Sequence, residues 1–123
     1  MQKCQNEFPF GMDHFPPKRT GLKVSIWIDG LKNGHFNRYM VYIGTNRKWI
    51  CINALTGEMI EKGYCLNNPN AINGAVDAIR YVLKNKDLFE KHWNDPVSFD
   101  TEDLKGALAE RGCYRWRMDT ERD

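Results

Sequence analysis

The chain has 123 residues, the length of one domain with room for a real hydrophobic core. Hydrophobic residues make up 41% and charged residues 28%, which excludes a disordered chain, and no apolar run approaches the roughly 20 residues of a membrane helix. The formal charge of +2 is too near neutral to name a nucleic-acid partner by itself.

The sequence divides into an extended Pro/Phe-rich arm (1–21), a single domain (22–118) and a charged tail (119–123). In the arm, Pro9, Pro16 and Pro17 restrict the backbone, and Phe8, Phe10 and Phe15 are the expected anchors on the body. From Leu22 the chain alternates: Leu22, Val24, Ile26 and Ile28 share one face, and Lys23, Ser25, Trp27 and Asp29 the other. The turn dipeptides Asp29-Gly30 and Asn33-Gly34 lead to a second strand that starts near Phe36, in which Tyr39, Val41 and Ile43 alternate with Arg38, Met40 and Tyr42. Gly44 to Arg47 form the next turn, Lys48 to Asn53 a third strand, and Thr56-Gly57 the hairpin into a fourth strand, Glu58 to Cys65.

Asn68 and Pro69 read as a helix start, after which Ile72, Ala75, Val76, Ile79, Val82 and Leu83 recur at helical intervals. A short second helix, Asp87 to Trp93, offers Leu88, Phe89 and Trp93 to the core. A third starts at Asp100 or Thr101, places Asp103 in its first turn, packs through Leu104, Ala107 and Leu108, and stops at Gly112. Cys113 to Met118 reads as a last edge strand. The fold class is therefore α+β: a four-stranded antiparallel meander covered on one face by two or three helices.

Chemistry is harder to find. His14, His35 and His92 sit in no nucleophile motif, there is no phosphate loop, and no cofactor is implied. Cys4, Cys51, Cys65 and Cys113 lack metal-knuckle spacing, so no metal is expected, and they read as thiols in a reducing cytoplasm because the first residues do not form a secretory signal. Glu102 and Asp103 are explained by helix capping.

Binding is the class with candidate residues. Residues 1–57 hold eight basic residues to three acidic ones, and the remainder ten to thirteen, which either marks a polarised surface or cancels in space. Trp27, with Lys23 on the same strand face, is either a stacking platform or a ring covered by the arm. Arg115, Trp116 and Arg117 alternate cations with an aromatic ring, a pattern that serves phosphate binding or charge defence of a sheet edge. Arg47 and Lys48 cluster at a hairpin tip. These seven residues form the candidate ligand-binding set.

Residues 39–85 run as a strand, Lys48-Trp49-Ile50-Cys51-Ile52, a Thr56-Gly57-Glu58 hairpin, Gly63-Tyr64-Cys65 and a helix rich in Ala and Ile. This stretch, under half of the chain, resembles in geometry the three-strand-plus-helix DNA-binding domains of plant ethylene-response factors and of integrase arm-binding domains, whose sheets carry Arg and Trp into the major groove. The resemblance implies a DNA-contacting role for Arg38, Arg47, Lys48, Trp49 and Lys62. The chain departs from the pattern at Glu58 and Glu61, where positive charge is wanted.

The expected function is non-catalytic binding of an anionic ligand, nucleic acid or nucleotide, in the style of phage and mobile-element accessory proteins. The alternatives are a protein inhibitor that occludes a host defence or regulatory protein, as anti-CRISPR proteins do in style, and a small enzyme without a recognisable motif. No membrane partner is expected, and exposed sheet edges leave a homodimer open.

Overall fold

The computed structural model describes residues 13–28, 39–45, 49–61 and 69–115. Five strands follow one another in space as they do in sequence: β1 (Asp13–Phe15), β2 (Ser25–Ile28), β3 (Met40–Gly44), β4 (Trp49–Asn53) and β5 (Met59–Glu61). Every neighbouring pair is antiparallel. Between β1 and β2 lies α1 (Pro17–Thr20), and after the sheet come α2 (Pro69–Lys84), α3 (Lys86–Asn94) and α4 (Thr101–Glu110). The fold is α+β with an antiparallel sheet, and no helix among the described residues is long and apolar enough to cross a membrane.

Strand register sorts the side chains onto two faces. Ile26 pairs with Ile43 and Ile43 with Ile50, while Ile28 pairs with Val41 and Val41 with Ile52. Because alternate residues point the same way, this row forms one apolar face. It is buried in a single cluster with Ala75, Ala78 and Val82 of α2, Phe89 and Trp93 of α3, and Leu104 and Leu108 of α4. The alternation read from the sequence therefore assigns the helix-covered side of β2 correctly.

The fifth strand comes from the segment expected to be an arm. Residues 13–21 are built into the domain: β1 pairs with β2 from Asp13 opposite Ile28 to Phe15 opposite Ile26. Phe15 is fully buried, 5.9 Å from the Phe89 ring and 6.0 Å from the Tyr114 ring in an edge-on arrangement. Pro16 and Pro17 set up the first turn of α1, since Pro17 needs no amide donor there. A three-residue strand has too few residues to show alternation, and this one lies among prolines, so periodicity misses it. Phe8 and Phe10 lie outside the described residues.

Other boundaries move for identifiable reasons. The first long strand starts at Ser25, because Lys23 and Val24 form a bend against α2, where Gly74 lets the two backbones approach. A Cβ at Gly74 would stand 3.0 Å from Val24 Cγ1 and 3.3 Å from Lys23 Cβ. In α2, Ala78 and Tyr81 join Ala75 and Val82 in the core, and Val76, placed on the apolar side by its chemistry, is 39% exposed. The true stripe is 75, 78, 79 and 82, in which alanine carries the close contacts. Ile72 lies in a helix whose first side chains are outside the description.

α4 forms as its sequence dictates. Asp100 accepts a hydrogen bond from the Asp103 amide at 2.9 Å, and Asp103 accepts one from the Asp100 amide at 3.1 Å, a reciprocal cap. After the helix Gly112 takes φ 78°, the left-handed stop. Cys113 to Arg115, the described half of the expected edge strand, do not form a strand. Cys113 and Tyr114 form a bend and Arg115 is irregular, held because Tyr81 Oη donates to the Cys113 carbonyl at 2.6 Å and the Arg115 amide donates to the Arg19 carbonyl. Trp116 to Met118 lie outside the described residues, as do residues 29–38 and 46–48, where turns were expected, and the expected end of the fourth strand at 62–65. Cys51 and Cys113 are buried thiols outside any disulfide among the described residues, and Cys4 and Cys65 lie outside the described residues.

Candidate functional site

The sheet face opposite the helices carries a second buried cluster. Trp27 of β2, Tyr42 of β3 and Cys51 of β4 are cross-strand neighbours, and Trp49 joins them, with Met40 packed at the side. The Tyr42 and Trp49 rings lie 5.1 Å apart at 56°. Trp27 is 8% exposed and Trp49 2%. Trp27, a candidate stacking platform by sequence, therefore serves as packing, and Trp49 is too deeply buried to enter a DNA groove as the resemblance implied.

What covers Trp27 is His14, its register partner on β1. The two rings stack with centroids 5.0 Å apart and planes 10° from parallel. His14 Nε2 shares a hydrogen bond of 2.8 Å with Ser25 Oγ, two residues from Trp27 along β2. His14 itself is exposed. Partial burial, and secondarily the charge of Lys105, hold its imidazole below the ordinary value of 6.5, so the ring is neutral at pH 7. The sequence left His14 without a role, since nothing in the arm announces that β1 sets it against Trp27.

A histidine within 2.8 Å of a serine meets the distance for a base and nucleophile. The rest of such a machine needs a carboxylate to orient the imidazole, and among the described residues none is hydrogen-bonded to His14. The nearest carboxylate in sequence, Asp13, is engaged elsewhere, accepting from Thr101 Oγ1 of α4. The pair therefore fixes the ring. Among the described residues no group of three or more His, Cys, Asp or Glu is placed to hold a metal.

The second constellation joins the two ends of the described chain. Arg115 lies against α1, its amide donating to the Arg19 carbonyl and its guanidinium Nη1 to the Lys18 carbonyl at 3.4 Å. Arg19, only 9% exposed, returns a bond from Nη1 to the Arg115 carbonyl at 3.2 Å. Lys18 and Arg115 are exposed. Nearby, Lys105 of α4 places Nζ 5.3 Å from the Phe15 ring centroid and 6.0 Å from that of Tyr114. Arg19 and Arg115, 96 residues apart in sequence, thus dock on each other through backbone carbonyls, with the Lys18 carbonyl as a further acceptor.

Among the residues singled out from the sequence, Arg115 alone belongs to this cluster. Lys23 is exposed on the bend beside α2, away from the Trp27 layer by virtue of the later strand start. Arg47, Lys48, Trp116 and Arg117 lie outside the described residues, as do Arg38 and Lys62. Lys18 and Arg19 were not singled out, because the sequence separates them from Arg115 by almost the whole chain. No family model, curated protein or solved structure matches the chain.

Proposed function

We propose that the protein is a binding module for a phosphate-bearing anionic ligand, nucleic acid or nucleotide, held at the Lys18, Arg19 and Arg115 cluster. The observation that carries this reading is the docking of Arg19 and Arg115 on each other's carbonyls, with the Arg115 guanidinium also on the carbonyl of the exposed Lys18. Guanidinium groups present paired donors that match phosphate oxygens. Because Arg19 and Arg115 each have a hydrogen-bonded guanidinium, part of the ordering cost of binding is met by the fold.

The test is fluorescence anisotropy of a labelled single-stranded oligonucleotide over a salt series. Each phosphate contact contributes about 0.7 to the slope of log affinity against log salt for a single strand. Arg115→Ala and Lys18→Ala should each weaken binding and flatten that slope by about 0.7. Unchanged slopes in both variants, with binding intact, would place the ligand elsewhere on the molecule.

A further inference from the structure

One side of α2 is buried, through Ala75, Ala78 and Val82, and the other leaves Asn73, Asp77, Arg80 and Lys84 exposed, with Val76 beside them at 39% exposure. Spacings of four, three and four residues place the four polar side chains in one narrow stripe along the helix. Asp77 and Arg80 are near enough in sequence to pair, yet neither they nor Lys84 forms an ion pair with another described residue. Arg80 and Lys84 are like charges one turn apart, which slightly disfavours the helix on its own.

The order of this stripe is self-complementary. Asp77 and Arg80 are symmetric about the point between Ala78 and Ile79, and so are Asn73 and Lys84. A second α2 laid antiparallel about that point therefore brings Asp77 opposite Arg80 of the other copy and Asn73 opposite Lys84 of the other copy, each contact occurring twice. A parallel alignment would set every charge against its like. The antiparallel register also carries the aliphatic stem of Arg80 past the exposed Val76 of the other copy, an apolar contact beside the ion pairs. An isologous pair of this kind closes on itself.

We propose that the outer stripe of α2 is a twofold interface between two copies of this chain, the helices antiparallel and centred between Ala78 and Ile79. The 16 residues of α2 span about 24 Å, and one helix pair lies at the small end of specific interfaces, so the dimer is weak and sensitive to concentration and salt. This surface is separate from the anion-binding reading and does not depend on it.

The experiment is sedimentation equilibrium of the full chain at low salt, from about 10 μM to about 1 mM. The average mass should rise from that of one chain toward that of two. Asp77→Arg and Arg80→Asp each place like charges opposite one another in the symmetric pair, and each should weaken self-association at least about fivefold. Mixed in equal amounts, the two variants complement each other, since one stripe carries two cations where the other carries two carboxylates, and the mixture should regain the association of the wild type. Both positions are exposed, and a thermal midpoint like that of the wild type in dilute solution shows that each variant is folded. A wild-type chain that stays monomeric throughout, single variants that associate undiminished, or a mixture as weak as its components overturns the assignment.

Discussion

Phe15→Ala is the substitution that most sharply asks whether β1 belongs to the domain. The side chain is wholly buried, its ring meets Phe89 at 5.9 Å and Tyr114 at 6.0 Å, and Lys105 Nζ lies 5.3 Å from its centroid. Truncation of a buried Phe costs about 3–5 kcal/mol, the transfer of the lost carbons plus the cavity they leave. Against a total stability of about 5–15 kcal/mol for a domain, that is a large fraction. For a chain of this size each kcal/mol moves the midpoint by about 4 °C, so thermal unfolding should fall by about 12–20 °C. Urea unfolding followed by tryptophan fluorescence reads the same loss, and Trp93, with its ring 5.7 Å from Phe89, reports on the affected cluster. Phe15→Leu, which fills most of the volume, should cost about 1.5 kcal/mol or less. A loss below about 1 kcal/mol for the alanine variant, at unchanged urea dependence, would refute the docking of β1 and with it the placement of His14 on Trp27.

Four further outcomes are expected. His14 has a folded-state pKa below its unfolded value of 6.5, so the unfolded chain binds more protons as the pH falls through 6.5; stability should then decline below about pH 6.5, and His14→Phe should remove that part of the decline in urea midpoints measured from pH 7.5 to 5. Tyr81→Phe leaves the Cys113 carbonyl without its 2.6 Å donor and should cost about 1 kcal/mol in the same assay. Burial also pushes the Tyr81 phenol well above its ordinary value, so absorbance titration at alkaline pH should find one tyrosine that ionises only as the protein unfolds. Asp100→Ala removes the reciprocal cap of α4 and should cost about 0.5–2 kcal/mol, while Asp100→Ser should recover most of that.

The contrast between what the sequence reveals and what it hides has a physical basis. The alternation of Val24, Ile26 and Ile28 and the cap at Asp100 are local patterns, because neighbouring residues alone decide which face of a strand is apolar and which amide a carboxylate can reach. The meander of β2 to β5 was legible for the same reason, since each connection carries its own turn residues and those after β3 and β4 are short. β1 was not legible. Three residues beside two prolines carry no periodicity, and the segment is a strand because β2 offers it an open edge and the core offers Phe15 a site.

The candidate site was less visible than the fold. Arg115 was found through its neighbours in an alternating basic and aromatic run, yet its partners Lys18 and Arg19 lie at the other end of the chain. Trp27 drew attention as a large aromatic opposite the apolar row, and the structure accounts for it by a second core in which Tyr42 and Trp49 share its burial. A sheet with two covered faces yields aromatic residues on both, so an aromatic ring on the polar face is by itself ambiguous. Val76 errs in the opposite direction: its apolar side chain fits a core stripe, and the close packing of α2 through Ala75 and Ala78 turns it outward.

The central claim, an anion site where α1 meets the segment after α4, is tested most directly by mapping amide chemical shifts of the isotope-labelled protein while a single-stranded oligonucleotide is added at low salt. The account predicts that the largest changes fall on Lys18, Arg19 and Arg115 and reverse when salt is raised. Changes centred on the exposed side of α2, or none at saturating oligonucleotide, would contradict it.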